Sequence, residues 1–107
     1  MKLNKLAHVG DSFRLNCSTT RDTGVDWMHN GDVLYVNGEI DVTLRSKYYI
    51  DKSVDGEYCL VISNVTVAEA GEYRCVDNAG LGPELVTYVL NVTGNDYDDE
   101  IVVRYLF

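Results

Sequence analysis

Glu69-Ala70-Gly71-Glu72-Tyr73-Arg74-Cys75 is the stretch on which the fold turns. A glycine suited to a tight turn opens a strand in which Tyr73 and Cys75 share one face and Arg74 takes the other. Two other cysteines, Cys17 and Cys59, could pair with Cys75. In Phe13-Arg14-Leu15-Asn16-Cys17 the apolar side chains alternate, so Cys17 lies with Phe13 and Leu15. Leu60-Val61-Ile62 turns Leu60 and Ile62 inward, which points the preceding Cys59 outward. Parity therefore favours a buried Cys17–Cys75 bridge and leaves Cys59 as an outward free thiol, either incidental or bridging two chains. Closing a loop of that size stabilises by about 4 kcal/mol in the chain-entropy treatment. Two reduced, buried cysteines in a cytosolic domain are the alternative.

Working outward, the same period of two recurs. Val25-Asp26-Trp27-Met28 puts Val25 and Trp27 on one face. Asn30-Gly31-Asp32 and Asn37-Gly38 are hairpin signals bracketing Val33-Leu34-Tyr35-Val36. Ile40 to Ile50 holds one or two short strands, with Tyr48 and Ile50 on one face. Gly10-Asp11, Asp55-Gly56 and Asn78-Ala79-Gly80 mark further turns, and Val86 to Val92 turns Tyr88, Leu90 and Val92 inward. The one helical-looking segment, Val67-Ala68-Glu69-Ala70, is a single turn. About seven to nine short strands separated by turns imply an all-β fold, a two-sheet antiparallel sandwich, with a small closed barrel as rival.

The combination of Cys17, Trp27, Leu60-x-Ile62-x-x-Val65 and Glu69 to Cys75 resembles the immunoglobulin superfamily over about Gly10 to Val92. The resemblance implies a Greek-key sandwich in which Trp27 packs on the disulfide. It also implies that the Tyr73 hydroxyl bonds backbone at a corner and that Gly71 permits the turn. The family usually has Asp where this chain has Glu69, and that acid pairs with a basic residue opening the fourth strand, here Arg45 or Lys47. Ser46 to Val65 resembles I-set domains, whereas the long Trp27 to Ser46 stretch leaves room for an extra strand as in V-set domains. The label is a V/I intermediate. Gly80-Leu81-Gly82 faintly resembles the joining segment of antigen receptors, but Ala79 stands where an aromatic would, so a bulge in the last strand is expected.

With 107 residues and 46% hydrophobic side chains, one domain with a packed core is expected. Residues 1–93 read as the immunoglobulin-like domain and 94–107 as an acidic linker with a short apolar, strand-like tail. Seventeen acidic against nine basic residues give a formal net charge of −8, which disfavours nucleic acid and anionic membrane surfaces. No apolar run approaches the ~20 residues of a membrane span. No apolar leader follows the basic start, so the segment reads as cytosolic or as an excised mature domain. His8 and His29 stand far apart, and no nucleophile, phosphate-loop or metal-ligand pattern occurs, so neither enzyme activity nor a cofactor is expected.

Three sequons, Asn16-Cys17-Ser18, Asn64-Val65-Thr66 and Asn91-Val92-Thr93, exceed the one or so that composition gives, and parity or a turn places each Asn outward. With the cysteines they point to an oxidising, extracellular setting. The resemblance implies a recognition or adhesion module of a cell-surface receptor, binding another immunoglobulin domain through strands C, C′, F and G, with a second copy as one admissible partner. By parity that face carries Met28, Arg74, Val76, Thr87 and Val89, with Tyr35 on C′. A cytosolic structural domain of the muscle-scaffold type and an antigen-receptor-like variable domain are the alternatives. In the tail, Tyr97 lies among acids, a setting for sulfation. Because little before Val9 is expected to form a first strand, Ile101 to Phe107 is expected either to cover an open sheet edge or to begin another domain.

Overall fold

Among the described residues nine strands form in chain order. They are β1 (Lys2–His8), β2 (Phe13–Leu15), β3 (Val25–His29), β4 (Asp32–Val36), β5 (Glu39–Ile40), β6 (Tyr48–Asp51), β7 (Cys59–Ile62), β8 (Gly71–Asp77) and β9 (Glu84–Thr93). The computed structural model describes residues 2–20, 24–78 and 83–94. Single 3₁₀ turns at Val42–Leu44 and Val67–Glu69 interrupt the strands. One sheet has the order β1-β9-β8-β3-β4-β5 and the other β2-β7-β6. Two open sheets packed face to face exclude the closed barrel.

Local chemistry sets the connections. Asn30 and Gly31 have φ of 51° and 87°, and Asn37 and Gly38 have 53° and 80°. Positive φ at both central residues suits two-residue hairpins, because it matches the strand twist. Thr66 and Glu69 cap the second 3₁₀ turn reciprocally. The Thr66 amide donates to Glu69 Oε1 at 2.7 Å and the Ala68 amide to Thr66 Oγ1 at 3.2 Å.

The core lies between the sheets. Leu15, Trp27, Leu60, Ile62, Val65, Tyr73, Cys75 and Leu90 are essentially inaccessible. Burying a side chain of this size stabilises by roughly 1.5–3 kcal/mol. Cys17 and Cys75 are bonded across it, with Cα atoms 6.6 Å apart. Trp27 faces Cys75 in register, and its Nε1 donates to the Tyr58 carbonyl at 2.9 Å, so its polar edge is satisfied. Tyr73 donates to the Glu69 carbonyl and shares a hydrogen bond with Tyr48 at 3.1 Å. Lys47 Nζ lies 3.4 Å from Glu69 Oε1, which selects Lys47 over Arg45; Arg45 instead lies 3.4 Å from Glu39.

Four expectations are corrected. A first strand does exist: β1 runs parallel to β9 over seven residues, pairing Lys2 with Thr87 through His8 with Thr93. It is mostly exposed and buries only Ala7, so hydrophobic alternation hardly marks it; its backbone carries the pairing. The edge of β9, which the sequence would leave as the outermost strand with Asn91 on it, is therefore already covered, and Asn91 pairs with Leu6. Cys59 does lie outside the core cluster and forms no disulfide, but it is 2% exposed rather than a surface thiol. Asn16 Oδ1 accepts from its Sγ at 3.3 Å, and the Arg14–Asp51 ion pair, 2.6 Å long, joins the two strands that flank it. Tyr35 and Thr87, placed outward by the sequence, are 4% and 1% exposed. A register shift between Trp27 and Met28 sets Tyr35 opposite Trp27, on the core side, and burial pushes its hydroxyl pKa up. Thr87 keeps its outward parity but is flanked in register by the longer Arg74 and Lys2.

The last strand does carry a bulge: Cys75 pairs with Val86 and Val76 with Glu84, so Leu85 is the extra residue. Gly80-Leu81-Gly82, Tyr97 and Ile101 to Phe107 lie outside the described residues.

Candidate protein-binding face

The outer face of the larger sheet gathers most of the expected binding residues. Val33, Met28, Arg74, Thr87 and Lys2 form one row in register across β4, β3, β8, β9 and β1. On one side of it runs the row Asp26, Val76, Glu84; on the other, Glu72, Val89 and Asn4. Met28, Arg74, Val76 and Val89 are thus brought together, while Tyr35 leaves the face for the core.

The charges interlock. Lys2 Nζ lies 2.8 Å from Glu72, and Arg74 lies 3.4 Å from Glu72 and 3.6 Å from Glu84. Lys2, and then Arg74, hold the Glu72 carboxyl below its ordinary range. These pairs are solvent-exposed, so each contributes little to stability. They fix where charge sits on the face more than they hold the fold.

Sequence reasoning missed part of this surface. Val33 is 51% exposed and Val36 39% exposed, and both line a groove of about 530 Å³ together with Glu39, Val42 and Arg45. Four consecutive apolar residues, Val33 to Val36, carry no alternation, and the register shift beside them hides which way each points. Asp26 was legible, since it stands between the inward Val25 and Trp27, and the same parity applies to Glu72 beside inward Tyr73, whereas Glu84, two residues before inward Val86, turns outward only because of the bulge at Leu85. Lys2 could not be assigned without β1.

The outer face of the smaller sheet differs. Cys59 and Val61 are buried there, beside Arg14, Asn16 and Asp51, and Tyr49 is its exposed aromatic. The three sequon asparagines are exposed: Asn16 beside Cys59, Asn64 in a turn with φ of 48°, and Asn91 on β9. Among the described residues no three His, Cys, Asp or Glu side chains are grouped to hold a metal ion. His29 ends β3 and stacks on Tyr73, ring centroids 4.2 Å apart. Among the described residues no helix is long and apolar enough to cross a membrane.

Comparisons agree with this architecture. A chain of the complex between the first immunoglobulin domains of Dpr1 and DIP-eta superposes with a TM-score of 0.72 at 21% identity, covering 87% of this chain and 91% of that one. The ZIG-8 first-domain homodimer gives 0.71 at 16% identity, covering 87% and 78%. A titin tandem of immunoglobulin domains gives 0.64 at 20% identity, covering 87% and 45%. At these identities the likeness concerns the fold. No curated protein sequence matches the chain. The immunoglobulin I-set domain family matches residues 3–92, so the chain belongs to the immunoglobulin superfamily and its domain is of the I-set type.

Proposed function

We propose that this domain is an extracellular recognition module that binds another immunoglobulin domain through the outer face of β3, β4, β8 and β9. The observation that carries the reading is the apolar patch on that face. Met28, Val33, Val36, Val76 and Val89 stand outward on adjacent strands, and Val33 and Val36 are substantially exposed. A contiguous apolar patch rimmed by charge is the usual anatomy of a binding surface. The Dpr1 domain bound to a DIP-eta domain, and the ZIG-8 homodimer, are immunoglobulin domains of similar fold that pair with immunoglobulin domains, which supports the class of partner. The Cys17–Cys75 bridge and the exposed Asn16, Asn64 and Asn91 support an oxidising, glycosylating compartment.

The test pairs two experiments. Intact mass of the chain secreted from a eukaryotic host, with and without reduction and deglycosylation, is expected to report one disulfide and attached glycan. A chain with neither supports the cytosolic structural alternative. Binding to secreted immunoglobulin ectodomains is expected to be lost with Val76→Asp or Val33→Asp and kept with Tyr49→Glu on the opposite sheet. The reverse pattern contradicts the assigned face.

A further inference from the structure

Two buried side-chain polar atoms among the described residues lack a hydrogen-bond partner, Asp26 Oδ1 and Thr87 Oγ1, and both belong to the outer face of the larger sheet. Thr87 is neutral and lies between Arg74 and Lys2 in register. Asp26 carries charge. A desolvated carboxylate oxygen without a donor is costly, and native proteins keep such groups where something pairs with them. The two cations that β1 and β8 turn to this face are already engaged: Lys2 by Glu72, and Arg74 by Glu72 and Glu84. Asp26, Glu39, Glu72 and Glu84 stand against Lys2, Arg74 and Arg45, the last held by Glu39, so the face has one carboxylate more than it has cations, and that one is Asp26.

We infer that this face takes a heterologous partner whose docking surface is basic, and that a lysine or arginine of that partner seats on Asp26. The inference rests on the reading of the face as a binding surface, and it narrows the partner. A second copy of the chain is a poor occupant, because it brings the same carboxylate excess and its own cations, Lys2, Arg45 and Arg74, are held by neighbours. Facing like charges across an interface disfavours the complex. The apolar residues Met28, Val33 and Val76 supply contact area on either side of Asp26 and water exclusion around it. Asp26 then supplies orientation through its negative charge.

The probe is a panel of secreted immunoglobulin ectodomains of known sequence from the source organism, presented to the full chain in a surface-binding assay, with sedimentation reporting self-association. At neutral pH and about 150 mM salt the chain is expected to sediment as a monomer, and the ectodomains that bind are expected to carry a net positive face. Asp26→Asn is expected to weaken that binding about tenfold or more without lowering the melting temperature, since no partner is lost in the free domain and a costly charge is removed. Affinity is also expected to fall as salt rises from about 50 to 300 mM. Val33→Asp reports on the face independently. If Val33→Asp abolishes binding while Asp26→Asn binds as the wild type does, the basic-partner inference is overturned and the face reading survives. Self-association that Val33→Asp abolishes has the same meaning. If both variants bind as the wild type does, or the monomeric chain binds no ectodomain, the face reading falls and the inference falls with it.

Discussion

Asp51 is a surface carboxylate whose titration is set by one neighbour. Arg14 Nη2 lies 2.6 Å from it, and this hydrogen bond, followed by those from Ser53, lowers its pKa from 3.8 to about 2. The folded value lies below the unfolded one, so the stabilisation is complete above about pH 4 and is lost as pH falls toward 2. Asp51→Asn is therefore expected to lower the urea midpoint at neutral pH, and the gap to the wild type is expected to close between pH 4 and 2; a gap independent of pH contradicts the pairing. The same pair bears on Cys59. Thiol labelling by a maleimide is expected to be slow in the native chain and faster in Arg14→Ala, which removes a side chain next to the sulfur. Single-residue parity was legible from sequence for Cys59, which does face away from the core. Its burial was not, because the polar side chains around it are long and their reach is a matter of rotamers rather than of pattern.

Between β7 and β8 the corner is held by side chains whose roles the sequence announced. Tyr73 reaches back to the Glu69 carbonyl, and Glu69 is held by Thr66 and Lys47. Burial, then the bond to Tyr48, pushes the Tyr73 pKa well above its ordinary value, so the hydroxyl stays protonated and donates at every physiological pH. Tyr73→Phe leaves a buried carbonyl and the Tyr48 hydroxyl short of a partner, and is expected to destabilise by about 1–3 kcal/mol in urea unfolding. Gly71 has φ of 125°, and a side chain there would run into the Asn30 amide, whose Oδ1 accepts from the Glu72 amide at 2.9 Å. Gly71→Ala is expected to cost about 1–3 kcal/mol, and a neutral result contradicts the strained turn. The hairpins at Asn30-Gly31 and Asn37-Gly38 were equally plain, since their dipeptides demand the backbone they adopt. What stayed hidden were elements whose stability is not local. β1 is polar along most of its length and forms by pairing with β9, more than eighty residues away. The register shift that buries Tyr35 depends on how β4 meets β3, which no alternation within Val33 to Val36 records.

Across the whole molecule the two sheets divide their labour. The disulfide ties β8 to the chain just after β2, one strand from each sheet, over a separation of 58 residues. Replacing both Cys17 and Cys75 by Ala is expected to cost about 4 kcal/mol in chain entropy alone, read as a lower urea midpoint. The smaller sheet covers its central strand with its own side chains, whereas the larger sheet leaves apolar residues outward, beside a carboxylate one of whose oxygens has no hydrogen bond. That asymmetry is the basis for assigning binding to β3, β4, β8 and β9. Amide hydrogen exchange of the chain, alone and in complex with an immunoglobulin ectodomain that binds it, tests the assignment most directly. Added protection is expected in Asp26 to Met28, Val33 to Val36, Glu72 to Val76 and Thr87 to Val89. Protection gained instead in β2, β6 and β7, with those segments unchanged, contradicts it.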